Sequence, residues 1–345
     1  MKSGFFIAAA ADDPRGGIYQ YETSAGGLPR RIAFYPLPNA NYFAFSPDRT
    51  ALFATCTVGA EGGAAAYRFL PDGTLEALGA AIPSGGRATC HIAAAPGGNF
   101  LYTANYSSGS FTEYRLRGNE IVERIRILRH SGRGVNPARQ ESAHPHFTGF
   151  TPDGRFLCVT DLGIDTVRLY PFDPERGVDP ERATECRIAP PGAGPRHLIF
   201  DRSGQRAYLL NELGNSVTTL DYDGECLIQR GTFPTLPRFA GDAVSKAAAI
   251  RLSPDGRWLF ASNRGYDSIA VFRLDGDGGM EFHDLVLTGG SSPRDINFLP
   301  GGTAFAAANE FSDTVMFYDF DTERGKLTPN GMVFSRMPRP LCIAF

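Results

Sequence analysis

The chain is expected to fold as an all-β propeller of seven four-stranded antiparallel blades, and three observations predict it. A strand-turn-strand pattern recurs about every 50 residues along the 345-residue chain. With 40 glycines and 25 prolines the sequence is rich in turns, and no stretch keeps a helical apolar period for long. The two termini carry complementary fragments of the same repeat, so a ring can close on itself.

The clearest copy is Gly194 to Asp223. PRHLIF and RAYLLNEL are aliphatic and aromatic runs joined by the Ser203-Gly204 turn, and SVTTLDYD follows the turn at Gly214-Asn215. Aligned on the first turn, the copies are NYFAFSPDRTALFATCT, HIAAAPGGNFLYTANYSSGS, HFTGFTPDGRFLCVTDLGIDT, RHLIFDRSGQRAYLLNELGNS, AAIRLSPDGRWLFASNRGYDS and RDINFLPGGTAFAAANEFSDT. Their turn markers, Arg49, Gly98, Gly154, Gly204, Gly256 and Gly302, stand 46 to 56 residues apart. RGTFPT, DLVLTG and IRILRH read as fourth strands. The ends supply the remaining blade: PLCIAF at Pro340 to Phe345 reads as a first strand, with GFFIAAAA and GGIYQYE as the second and third. A chain of this length exceeds the usual single-core size, and a repeat in which neighbours share cores makes residues 1–345 one domain.

Composition narrows the partner. Net charge is -3 with Lys and Arg scattered, which argues against nucleic acid or membrane and for a small molecule, and no oligomer signal stands out. The six cysteines form no CxxC pair and lie mostly in apolar strand patterns, so they are expected to be buried and reduced. MKSGFFIAAAADD matches a repeat strand better than a secretory leader, which points to the cytoplasm.

Topology selects the site. The approach to each first strand and the turn between the second and third strands share one face of the ring, so two families of positions converge at one mouth of the channel. Eight residues before the marker stand Asn41, Cys90, His146, Arg196, Ala248 and Arg294; eight after it stand Thr57, Tyr106, Leu162, Glu212, Arg264 and Glu310. Asn105, Asp161, Asn211, Asn263 and Asn309 recur one position earlier and are expected to be architectural, bonding the adjacent turn backbone. Charged residues peculiar to one blade are the functional candidates. The Arg129 to His146 linker, RHSGRGVNPARQESAHPH, brings His144 and His146 to the mouth, with His144 read as a hydrogen-bonded structural residue. His91 and His197 fall one residue later, where strand alternation turns them away from the mouth.

The HPH at His144 to His146, GPRHLIF with NELGNSV, SPDGRWLFASNRGYDSIAVF, SSPRD with ANEFSDTV, and the closing PLCIAF together resemble the seven-bladed lactonase family, over essentially the whole chain. That family includes the propeller-type 6-phosphogluconolactonases and the fungal 3-carboxy-cis,cis-muconate lactonizing enzymes. The resemblance implies a catalytic His, two Arg and a Glu, which fall on His146, Arg196, Arg264 and Glu212, the residues that the blade comparison selects. Arg294, Glu310 and His197 are the expected substrate-binding residues. Two positions depart from the pattern: SPDR replaces SPDG in the first copy, and Ala249 stands where an acidic residue is expected before Ile250.

This residue set suits hydrolysis of an anionic lactone, most simply 6-phosphogluconolactone. Glu212 or His146 is the base for water, with Glu212 favoured, and the guanidiniums supply charge for an oxyanion and an anionic substituent. No G-x-S-x-G elbow or H-E-x-x-H pattern is present, so neither a serine acyl-enzyme nor a metal or other cofactor is expected. A muconate-type cycloisomerase is the alternative enzyme. A non-catalytic binding scaffold is the alternative of another class, disfavoured because the charged set is confined to neighbouring blades.

Overall fold

The computed structural model describes residues 4–345 except 12, 24–28, 238–239, 242–243 and 277–278. Its strands form seven antiparallel sheets arranged as the blades of a propeller. Numbered in chain order from the N-terminus, blade 1 runs from the inside outward as Pro340–Ala344, Gly4–Ala9, Gly17–Glu22 and Arg30–Pro36. The last strand of the chain is therefore the innermost strand of the first blade, as the terminal fragments predict. Blades 3, 5, 6 and 7 have inner strands Thr89–Ala94, Pro195–Phe200, Lys246–Leu252 and Pro293–Phe298, each followed outward by three more.

Blades 2 and 4 depart from four strands. Their outer edge is split into two short pieces, Leu75–Ala77 with Ile82–Pro83, and Gly177–Val178 with Thr184–Arg187. In blade 2 the break holds Gly79 at φ 71°; in blade 4 it holds a 3-10 turn, Pro180–Arg182. Proline and left-handed backbone both interrupt a ladder, and the outermost strand tolerates it because nothing pairs beyond. The SPDR departure has a conformational answer too: Arg49 takes φ 56°, the left-handed conformation that Gly98, Gly154, Gly204, Gly256 and Gly302 hold at 70° to 76°.

The core is divided among the gaps between blades. Phe53 and Leu101 pack between blades 2 and 3, Phe100 and Leu157 between 3 and 4, and Leu198 and Phe156 between 4 and 5. Leu210 and Leu259 fill the next gap, Phe260 and Phe305 the one after. Phe5 and Ile7 meet Phe317 between blades 7 and 1, and Phe6 and Ala8 meet Leu52 between 1 and 2. Alternate residues of Gly4–Ala9 thus serve two neighbours, which is why the strand is apolar throughout. All six cysteines are free thiols, four of them buried. No helix among the described residues is long and apolar enough to cross a membrane.

Polar bonds fasten the closing strand to blade 7. Asp295 Oδ2 accepts from the Ile343 amide at 2.8 Å, and Asn297 Nδ2 donates to the Ile343 carbonyl at 2.8 Å. The other Asp295 oxygen accepts from Arg251 Nη2 at 2.7 Å. Removing Pro340 to Phe345 would take away the buried Leu341 at the mouth and the buried Ile343 between blades 7 and 1, about 3–6 kcal/mol on side-chain burial alone. Against a typical net stability of ~5–15 kcal/mol this should abolish cooperative unfolding; a truncated chain that melts as sharply and as high as the parent refutes closure by this strand. Asp295→Ala should cost about 3 kcal/mol in denaturant titration, because it leaves the half-buried Arg251 guanidinium without its carboxylate and the buried Ile343 amide without its acceptor.

Candidate active site

The inner strands of every blade but the second break register near the mouth. Thr89 and His91 face Asn105 and Ala104, Pro145 and Phe147 face Asp161 and Thr160, Pro195 and His197 face Asn211 and Leu210, and Pro293 and Asp295 face Asn309 and Ala308. The extra residue in each bulge is Cys90, His146, Arg196 or Arg294, the register that the repeat comparison picks out. In blade 6 two residues, Ala248 and Ala249, lie between the paired Ala247 and Ile250. A bulge sets two residues against one and re-aims their side chains.

The bulge also overturns the alternation argument for the residue that follows. His197 is 3% exposed and its Nε2 lies 3.1 Å from Arg196 Nη1, within the same cluster. Together with Tyr42, His91 and Phe147 it forms a layer beneath the mouth. Tyr42 and His91 ring centres are 4.2 Å apart, His91 and Phe147 4.4 Å, and Tyr42 meets His197 across the ring at 5.5 Å. These side chains fill the channel axis, so the site above them has a floor.

Glu212 is the hub. It is 3% exposed and follows the second strand of blade 5. Its Oε1 accepts from Arg139 Nη2 at 2.7 Å; its Oε2 accepts from Arg196 Nε at 3.1 Å and lies 2.7 Å from Arg264 Nη2. Arg196 also donates to the Ala248 carbonyl, so blade 6 contributes a backbone oxygen where the acidic residue is missing. His146 Nε2 stands 3.8 Å from Glu212 Oε2, beyond hydrogen-bond length, and its Nδ1 faces Cys90 Sγ at 3.7 Å. Arg294 and Glu310 lie farther round the mouth, 3.7 Å apart, with Glu310 Oε1 accepting from Arg339 Nη2 at 2.9 Å.

Arg139 is the hub residue that the blade comparison misses, because it sits on the linker outside the repeat. Its signal was the Arg-rich linker itself. That linker is pinned at three points. His130, at its start, bonds Asp161 Oδ2 at 2.7 Å and Tyr170 at 2.8 Å. Gln140 donates to Leu162 O and Asp165 Oδ1. His144 stacks on Tyr106 at 4.4 Å and bonds its carbonyl and Glu141, the structural role expected of it. The recurring amides are architectural by a different bond: Asn105, Asn211, Asn263 and Asn309 donate to hydroxyls on the following strand, and only Asp161 accepts from a turn amide, Gly163 N at 2.9 Å.

Charge sets the protonation states. Burial alone would raise the Glu212 pKa, but the charges of Arg264 and Arg196 and the Arg139 hydrogen bond outweigh it and hold the carboxyl well below the usual range. Burial, then the Arg196 charge, pushes His146 well below the ordinary imidazole value, and Glu212 only partly opposes this. Burial, then the charges of Arg264 and Arg294, brings Arg196 down to about 9. Arg264 Nε is buried with no hydrogen-bond partner among the described residues. No group of three or more His, Cys, Asp or Glu among those residues is placed to hold a metal ion.

His91 and His197 are likewise buried and depressed, burial being the first cause and Arg196 the second. Three imidazoles that fold neutral but take up protons once unfolded make stability fall as pH drops below ~6.5. The expected slope of unfolding free energy between roughly pH 6.5 and 5 reaches up to about 4 kcal/mol per pH unit, read by denaturant titration, and a flat profile there contradicts the buried neutral state.

Comparison with known proteins gives the family. A family described as lactonase, 7-bladed beta-propeller, matches residues 5–345. The chain is 33% identical to the 6-phosphogluconolactonase of Bacillus subtilis, over 95% of this chain and 94% of that protein. Among solved structures, the periplasmic gluconolactonase PpgL of Pseudomonas aeruginosa superposes with a TM-score of 0.91 at 28% identity, covering 99% of this chain and 98% of that one. A Lactobacillus plantarum protein superposes at 0.89 with 29% identity, covering 100% and 99%. The chain belongs to the seven-bladed β-propeller lactonase family.

Proposed function

We propose that the protein hydrolyses a sugar-acid lactone, 6-phosphogluconolactone first among them, using water activated at the mouth without a metal. One observation carries this reading: a buried carboxylate gathers three guanidiniums beside a neutral imidazole. Water adds to the lactone carbonyl carbon and gives its proton to the base; the carbonyl oxygen becomes an oxyanion; the ring C–O bond then breaks, and the leaving alkoxide takes up a proton. Arg196 and Arg264 lie where an oxyanion needs positive charge, and the free Arg264 Nε–H is a donor for it.

From the sequence Glu212 is the favoured base, on the ground that a carboxylate product would hold a neighbouring His protonated; the geometry favours His146. Both Glu212 oxygens already accept from guanidiniums, which lowers their basicity, while His146 is neutral and its Nε2 has no hydrogen-bond partner among the described residues. In this reading Glu212 holds Arg139, Arg196 and Arg264 in place.

A pH-stat screen of 6-phosphogluconolactone, unphosphorylated aldonolactones and muconolactones, corrected for spontaneous opening, tests the function directly. Base uptake above background is expected for the first, and none for any lactone removes the proposal. Arg264→Gln should lower kcat/KM by about 10²-fold. With His146 as base, protonation below its depressed pKa switches it off, so the acid limb of kcat/KM lies below ~6.5. His146→Asn should then lose about 10²–10⁴ in kcat together with that limb. Glu212→Gln removes the charge that supports His146 protonation, so the limb should move to still lower pH. Disappearance of the limb in Glu212→Gln, with its survival in His146→Asn, returns the role of base to Glu212.

A further inference from the structure

Beside the Glu212 cluster the mouth holds a cavity of about 300 Å³, at the small end of the range for ligand sites. It lies at the seam where the ring closes. Arg339 and Leu341 of the closing segment border it, with Asn39 and Thr57 of blade 2, Arg87 at the start of blade 3, and Arg294 of blade 7. Ring closure therefore builds this cavity.

Its charge is unevenly matched. Arg87 is exposed and has no ion pair among the described residues. Arg294 stands 3.7 Å from Glu310, too far for a hydrogen bond, and Arg339 shares the same carboxylate at 2.9 Å. Glu61, the other acid in the lining, is turned to the Gly85 amide at 3.0 Å and to Arg124 at 3.7 Å. Three guanidiniums thus answer to one available carboxylate. Arginine forks match phosphate oxygens in pairs, while Asn39 and Thr57 in the same lining bond each other, Asn39 Nδ2 donating to Thr57 Oγ1 at 3.1 Å. The Arg294 charge also acts on Arg196 and Arg264, which puts this cavity next to the oxyanion cluster.

We propose that this cavity is the subsite for a phosphate monoester at the far end of the lactone, held by Arg87, Arg294 and Arg339 while the carbonyl lies at Arg196 and Arg264. The proposal rests on the lactonase reading and goes beyond it by naming what separates phosphorylated from unphosphorylated substrates. Arg87 and Arg339 are specificity residues rather than catalytic ones, since neither touches the Glu212 cluster.

The test measures kcat/KM for 6-phosphogluconolactone and for gluconolactone in the wild type, Arg87→Gln, Arg339→Gln, the double variant, and Arg117→Gln, an exposed arginine outside the cavity. Each single change should lower the ratio of the phosphorylated to the unphosphorylated value about 10-fold, and the double about 10²-fold, mainly through KM, with Arg117→Gln at the wild-type ratio. An unchanged ratio in the double variant, or equal losses on both lactones, overturns the subsite. Calorimetric titration of 6-phosphogluconate and inorganic phosphate into the wild type and the double variant separates the two ideas. If the wild type opens no lactone but binds these anions and the double variant does not, the subsite stands and the lactonase reading falls. Equal binding by both, or none by the wild type, removes the subsite.

Discussion

A blade of four strands has two apolar faces and cannot cover either by itself, so every blade depends on having a neighbour on each side. Blade 1 is the place where that condition is hardest to meet, because its strands come from opposite ends of the chain. Pro340–Ala344 meets it by pairing with Gly4–Ala9 and by bonding through Ile343 to Asp295 and Asn297 of blade 7. The Asp295 carboxylate is itself held by Arg251. One buried ion pair thus fastens the ring at its seam, and the two gaps beside that seam receive Ile343 and Cys342 as core residues.

The same seam shapes the mouth. Arg339 enters the rim immediately before the closing strand, and Leu341 is the residue its bulge leaves unpaired, opposite Ala8 and Ala9. Closure and the cavity at the mouth are therefore built from the same residues. The floor of the site follows from the layer below, where Tyr42, His91, Phe147 and His197 fill the axis. A site closed beneath and open at one face leaves its guanidiniums partly shielded from water, where their charge counts for more.

Within that cup the arginines would repel one another without Glu212. Burying a carboxylate is costly on its own, but three guanidiniums around it make a compact, net-positive group with fixed geometry. Burial first, and the same positive field second, keep His146 and His197 unprotonated.

Much of this was legible in the sequence because repeats report on themselves. The spacing of turn markers, the alternating apolar strands and the split terminal blade determined the propeller and its closure, since each reflects local backbone preference and burial repeated at a fixed period. Comparing blades also separated Glu212, His146, Arg196 and Arg264 from the recurring Asn105, Asn211 and Asn263, because scaffold residues repeat and the charged residues that cluster at the mouth do not. Tertiary structure alone decided three things. It brought Arg139 to Glu212 from a linker with no counterpart in other blades, pinned through His130 and Gln140. It set His197 beside Arg196, because a bulge breaks the period of two on which alternation relies. And it showed which groups are already satisfied: both Glu212 oxygens are engaged and His146 Nε2 is not, a difference made by distances between blades that no pattern within one strand encodes.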